Sequence, residues 1–281
     1  MEKIYKLLLT KIIGSYINIL SYVAPKKAFE LAYKFFSNPR IGKLIPENLP
    51  KFLQDSHLEI LQEKDFSIQT YLWKGDATII LLAHGWESNS TRWEKLLPDL
   101  IQTGHTIVAL DAPAHGMSSG KEFNVPLYAS FIEIVIQKYQ PKHIIGHSMG
   151  GIAAIYYQYL YTNHNLEKMV LLGSPSDFNI ILENYLKLLC LNHKIRVAFH
   201  KNILERFQIN IADFSGKEFL KTCELKGIIV HDTEDLVVRI IEAQKIASSW
   251  KSAQLITTSG FGHSLRDASI HEKIISFLVE A

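Results

Sequence analysis

Ser148, Asp235 and His263 carry side chains that could act as one unit. A serine hydroxyl is a weak nucleophile at neutral pH, and it gains strength when an imidazole takes its proton and a carboxylate orients that imidazole. The chemistry such a set performs is acyl transfer through a covalent serine intermediate. Ser148 is the best marked of the three. It stands at the centre of Gly146-His147-Ser148-Met149-Gly150, between an apolar run (143–145) and a stretch of small residues and helix formers (151–157). A strand that turns at once into a helix through G-x-S-x-G lifts one serine hydroxyl above a sheet. The turn strains the serine backbone and leaves no room for side chains two residues before and after it, which accounts for Gly146 and Gly150. The plainer reading is a tight turn whose serine only caps a helix. It leaves those glycines without a reason.

His263 lies in Ser259-Gly260-Phe261-Gly262-His263-Ser264, directly after the last apolar run, and the glycines let this loop curl back over a sheet edge. The chain has 12 histidines, so an ordinary loop histidine is the competing account. Position after the last strand sets His263 above His193, His200 and His231. The acid comes from His231-Asp232-Thr233-Glu234-Asp235, just past the preceding strand. Asp235 is preferred over Asp232 and Glu234 because Val237-Val238 follows it like a helix start, whose N-terminus would sit beside the carboxylate. A developing oxyanion needs N–H donors. Met149, next to the nucleophile at a helix N-terminus, supplies one. Trp86, in Ala83-His84-Gly85-Trp86-Glu87-Ser88, supplies the other, and its indole would line the acyl pocket. A loop aromatic buried under a lid is the alternative for Trp86. His84 reads as a structural hydrogen-bonding residue and 111–118 as a turn-forming loop.

These residues need a scaffold that brings their loops to one place. Apolar runs at 78–83, 106–110, 143–145, 169–172, 227–230 and 253–257 alternate with helical stretches near 90–102, 125–138, 149–161, 236–250 and 268–279. Near-continuous apolar strands alternating with helices imply a parallel sheet covered on both faces. Runs at 58–61 and 68–73 add an antiparallel hairpin at the edge, giving a mostly parallel sheet of eight strands flanked by helices. In such sheets the loops at the strand C-termini converge on one crevice. After the sixth strand, residues 177–226 exceed what a crossover needs; their content suggests short helices forming a lid. Residues 4–22 and 26–36 read as helices split by Pro25. With the proline-bearing connector that follows, they form an N-terminal helical extension, 1–50, before a domain at 51–281.

Composition narrows the function. A hydrophobic fraction of 47% with 21% charged residues fits a packed globular protein. A net charge of +2, without any cluster of basic and aromatic residues, gives no sign of a nucleic-acid partner. Cys190 and Cys223 make neither a disulfide framework nor a metal spacing. No H-E-x-x-H pattern or glycine-rich phosphate loop is present, so neither metal nor cofactor is expected. The two cysteines suit a reducing, cytoplasmic compartment. Residues 12–24 form an uncharged stretch too short to span a bilayer, which takes about 20 residues. A pair of helices packed on the domain is the expected role, with peripheral membrane contact through residues 1–24 or a cleaved signal as alternatives. Oligomeric state stays open.

Taken together, His84-Gly85, the Asp111…Gly116-x-Ser118 loop, the Gly146–Gly150 elbow, Asp235 and Gly262-His263 resemble the α/β-hydrolase superfamily over about residues 57–280. The chain looks most like an uncharacterised bacterial branch with a helical N-terminal extension, an HGWE loop (His84-Gly85-Trp86-Glu87) and a DAPAHG segment (111–116). The resemblance implies an esterase- or lipase-like hydrolase with Ser148, Asp235 and His263 as its triad, acting on a small-molecule or lipid ester or on a thioester. No H-G-G-G run follows the third strand, so the oxyanion loop has the shorter form. Acyl transfer, amide cleavage or C–C hydrolysis on the same triad, or ligand binding without turnover, are the alternatives.

Overall fold

The computed structural model describes residues 2–280, with side chains from Leu8 onward. The expected peripheral membrane contact through residues 1–24 thus falls in part on residues 1–7, which lie outside the described side chains.

The chain begins with α1 (Glu2–Val23) and α2 (Pro25–Ser37), where Pro25 occupies the first turn of the second helix, the one helical site that tolerates its missing N–H. After α3 (Lys51–Gln54) come β1 (His57–Glu63), β2 (Phe66–Trp73), β3 (Ile79–Ala83), α4 (Leu97–Gln102) and β4 (Thr106–Leu110). Then follow α5 (Val125–Tyr139), β5 (His143–His147), α6 (Met149–Tyr161) and β6 (Lys168–Leu172). The remainder comprises α7 (Phe178–Leu189), α8 (His193–Phe207), α9 (Gly216–Phe219), β7 (Lys226–Asp232), α10 (Ile240–Ala247), β8 (Ala253–Thr258) and α11 (Ala268–Val279). Asparagine or aspartate caps start α5, α8 and α11 by accepting an orphan N–H.

The eight strands form one sheet in the order β1-β2-β4-β3-β5-β6-β7-β8. β2 pairs antiparallel with β1 and with β4, and every pairing from β4 to β8 is parallel. This is the α/β-hydrolase fold. The central strands β4, β5 and β6 are buried at every position, as strands covered on both faces must be. Register aligns their C-terminal ends: Ala83 stands opposite Gly146, His147 opposite Leu172, Leu172 opposite Val230, and Asp232 opposite Thr258. The loops after β3, β5, β6, β7 and β8 therefore leave from one edge.

The chain divides into two compact units, Met1–Asn38 with Asp177–Ser215 and Pro39–Ser176 with Gly216–Ala281. The helical unit thus joins the N-terminal helices to part of the segment after β6. Its core gathers Ile17, Ala28 and Ala32 with Leu182, Leu186, Ile195 and Phe199, packed by Phe29, Tyr33 and Phe36. The first boundary falls after residue 38 instead of 50, because the connector is bonded into the sheet-bearing unit: Leu44 N–H donates to the Gly116 carbonyl, Gly116 N–H to that of Gly42, and Lys43 Nζ to that of Ser118. The second falls after 215 instead of 226. Phe219 stacks on Tyr159 and packs at a tilt against Tyr156, and the Leu225 carbonyl accepts from the Trp250 indole, so 216–226 belongs with the sheet. Among the described residues no helix is long and apolar enough to cross a membrane.

Candidate active site

The elbow is built as the G-x-S-x-G spacing requires. Ser148 holds φ 52° and ψ −120° between β5 and α6, a conformation that L-residues adopt only under constraint. A Cβ on Gly146 would come 2.5 Å from the Gly151 Cα, and one on Gly150 would overlap the Ala83 carbonyl oxygen. Side chains there would push the helix off the strand.

Three loops meet at the serine. His263 Nε2 lies 3.0 Å from Ser148 Oγ, and His263 Nδ1 lies 2.7 Å from Asp235 Oδ2. Because a carboxylate only accepts, Nδ1 carries the proton and Nε2 presents a lone pair to the serine hydroxyl. Asp235 Oδ1 accepts from the backbone N–H of Val237 and Val238. Burial pushes the Asp235 carboxyl up, but the His263 bond and these N–H donors outweigh it and hold the group below its ordinary range. It is ionised at neutral pH.

Val237 and Val238 do not begin a helix. α10 starts only at Ile240, and the two residues instead form a tight loop whose N–H groups point at the carboxylate. The neighbouring acids have other partners. Asp232 Oδ2 accepts from Thr258 Oγ1 and Phe261 N–H, tying the loop after β7 to the loop that carries His263. Glu234 Oε1 accepts from Ser259 Oγ. Among the three, Asp235 is the carboxylate bonded to His263.

The loop after β3 runs against the elbow: a Cβ on Gly85 would come 2.9 Å from Ser148 Cβ. Trp86 follows at once, its ring edge-to-face with His115 and Phe123. Met149 opens α6, so its N–H is among those a helix start leaves without an intrahelical acceptor. His84 is fully buried. Its Nε2 accepts from Ala112 N–H, which leaves Nδ1 to donate to the Gly85 carbonyl, and burial pushes its pKa down to about 4. Asp111, far from forming a mere turn, is a buried hub. Its oxygens accept from Ser90 N–H and Oγ, Tyr71 OH and Met117 N–H, fixing the loops after β3 and β4 together.

Three residues beside the site went unmarked in the sequence reading. His147 Nε2 donates to the His263 carbonyl, and its ring stays neutral because burial, then the Arg92 and His263 charges, hold its pKa well down. Arg92 Nη2 donates to the Ser264 carbonyl at 2.5 Å. Arg92 is only 6% exposed, its Nε has no partner, and among the described residues no carboxylate pairs with it. Burial, with Arg266 nearby, pushes its pKa down to about 9, so it remains charged at neutral pH. Two side chains, one from the end of β5 and one from the loop after β3, thus grip consecutive carbonyls of the His263 turn. Gly173, at φ +56° after β6, is the third; a Cβ there would stand 3.3 Å from His263 Nδ1. Gly173 could have been found by its place at a strand's C-terminal end. Nothing in the local sequence singles out Arg92. Among the described residues no group of three or more His, Cys, Asp or Glu gathers as metal ligands.

A family model of the α/β hydrolase fold matches residues 78–189. The chain is 38% identical over 101 residues to a serine hydrolase-like protein of Danio rerio, a match covering 34% of this chain and 30% of that protein. It is 26% identical over 215 residues to human serine hydrolase-like protein 2, covering 70% of this chain and 67% of that one. Among solved structures it resembles the bromoperoxidase from Bacillus anthracis, with a TM-score of 0.64 at 19% identity, over 80% of this chain and all 100% of the other. The chain has the α/β-hydrolase fold, and over residues 78–189 it is similar to the family that this model describes. The likeness supports a hydrolase.

Proposed function

We propose that the protein is a serine hydrolase that cleaves a carboxylic ester or thioester through an acyl-enzyme, with Ser148 as nucleophile, His263 as base and Asp235 as its orienting acid. The observation that carries this reading is the continuous chain from Ser148 Oγ to His263 Nε2 at 3.0 Å and from His263 Nδ1 to Asp235 Oδ2 at 2.7 Å.

In this scheme His263 Nε2 accepts the hydroxyl proton as Ser148 Oγ bonds to the acyl carbon. The carbonyl π pair moves onto oxygen, where the N–H groups of Trp86 and Met149 would receive it, each such donor contributing about 3–4 kcal/mol to the barrier reduction. Collapse expels the alkoxide or thiolate, which takes the proton from His263. Water then repeats the sequence on the acyl-serine, with His263 again as base, releasing the acid and restoring the hydroxyl. Asp235, held ionised, stabilises the imidazolium formed in each half.

The test pairs a fluorophosphonate probe with a chain-length series of p-nitrophenyl esters and an acyl thioester. Labelling and turnover by the wild type, both lost in Ser148→Ala, are expected. No labelling of the folded wild type, or equal labelling of Ser148→Ala, overturns the assignment.

A further inference from the structure

α1 packs one side into the core of the helical unit through Ile17 and Ser21, with Ile13 and Leu20 half-buried beside them. Its opposite side is also apolar. Leu8, Ile12, Tyr16, Ile19 and Val23 are spaced four, four, three and four residues apart, which keeps them on one face of a helix. They are 57%, 65%, 57%, 68% and 77% exposed. The stripe runs about 22 Å, the rise of fifteen residues. Ser15 puts one small exposed hydroxyl at its margin, while the larger polar groups turn elsewhere: Asn18 Nδ2 donates to the Cys190 carbonyl, and Lys11 Nζ to Cys190 Sγ. An uncovered face this long and this apolar marks an interaction site, because scattered surface hydrophobics do not line up on one stripe.

Charge says what covers it. The helical unit (1–38 and 177–215) holds eleven Lys and Arg against six Asp and Glu, a net +5, while the rest of the chain carries nineteen against twenty-two, a net −3. Cations rim the stripe. Lys194 Nζ stands 4.0 Å over the Tyr22 ring, and Lys26 and Lys27 are exposed just past Val23. Two copies pairing through this face would set these cations against each other. An anionic bilayer would meet them with phosphates while its acyl boundary received the aliphatic stripe, with Tyr16 and Tyr22 suited to headgroup depth.

We propose that the outer face of α1 is a docking surface for an anionic lipid bilayer, with the helix lying in the plane of the interface. This surface belongs to the helical unit alone, and its binding is independent of turnover at Ser148.

Flotation of the full-length protein with vesicles of phosphatidylcholine, and of phosphatidylcholine mixed with phosphatidylglycerol, tests it at low and high salt. Binding to the mixed vesicles is expected, weakened at least about fivefold by high salt or by omission of phosphatidylglycerol. Ile12→Asp with Ile19→Asp should weaken it at least about tenfold while leaving the circular-dichroism melt in place. Ile12→Ser with Ile19→Ser carries the same expectation if the charged pair melts early. Lys26→Glu with Lys27→Glu should weaken binding to mixed vesicles and leave any binding to phosphatidylcholine alone unchanged. Failure to float with either vesicle, or flotation indifferent to the Ile12 and Ile19 changes, overturns the proposal. Equal binding to both compositions overturns the anionic part. A dimer by light scattering that Ile12→Asp with Ile19→Asp splits, without vesicle binding, would make the face a self-association surface instead.

Discussion

The two units of this chain are held together by different physics. The helical unit is built around aliphatic and aromatic packing, with Phe199 in contact with the rings of Phe29, Tyr33, Phe36 and Tyr185. The sheet-bearing unit has an apolar core too, but around the candidate site it buries polar groups in number: His84, Arg92, Asp111, His115, His147, Asp232 and Asp235. Apolar packing tolerates small shifts and is nearly indifferent to pH. A buried polar network has to be satisfied bond by bond, and it fixes side-chain geometry far more tightly in return. The region proposed to do chemistry has the second kind of interior, where a displacement of a few tenths of an ångström matters.

The comparison can be broken most directly at the serine. Ser148→Ala should lower kcat/KM on a p-nitrophenyl ester by about 10⁵-fold or more and leave the melting temperature unchanged. The three carboxylates at the C-terminal end of β7 and in the loop that follows give the next largest effect. Asp235→Asn should cost about 10⁴-fold in kcat, because the amide favours the wrong imidazole tautomer. Asp232→Asn should cost stability, through the Thr258 and Phe261 bonds, and far less activity. If the two variants exchange these phenotypes, the assignment of the acid is wrong.

In the helical unit, Phe199→Ala should destabilise by about 3–5 kcal/mol, read as a lower denaturant midpoint, since a fully buried ring in an aromatic cluster leaves a cavity. Acid should separate the units in the other direction. Burial pushes the pKa of His84 to about 4 and that of His115, with the His84 charge adding to it, to about 3. Both lie below the ordinary 6.5, so the unfolded chain takes up protons first as pH falls. Stability from these two groups is intact above about pH 6.5 and is lost on the way down to about pH 4 for His84 and about pH 3 for His115, at up to about 1.4 kcal/mol per pH unit for each. Hydrogen exchange at pH 5 against pH 7 should show β3 and β4 losing more protection than α2 and α8, and equal losses would erase the distinction. The smallest effect is expected at Arg92. Arg92→Met removes the bond to the Ser264 carbonyl and should reduce kcat/KM about tenfold, with Arg92→Lys partly restoring it. The melting temperature should hold or rise, because the change also removes a buried cation that has no carboxylate partner among the described residues.

The central strands β3 to β7 were legible in the sequence because each is a short, largely apolar run between breakers, and burial on both faces of the parallel part of the sheet leaves no polar alternation to obscure them. Ser148 was legible because the strained elbow demands glycine at positions close by in the chain. His263 followed from its place after the last strand. Where constraints are local, the chain writes them in neighbouring residues. The union of 1–38 with 177–215 was decided only by the tertiary structure, since two apolar helix faces some 140 residues apart match by shape, and pattern alone does not encode shape. The same holds for the division of labour among Asp232, Glu234 and Asp235, chemically near-equal acids on one loop whose partners are set by where the next loop's N–H groups and side chains fall. Arg92 is the extreme case: a lone arginine on a polar turn, carried into the interior beside the His263 loop by contacts that exist only once β3 and β8 share a sheet edge.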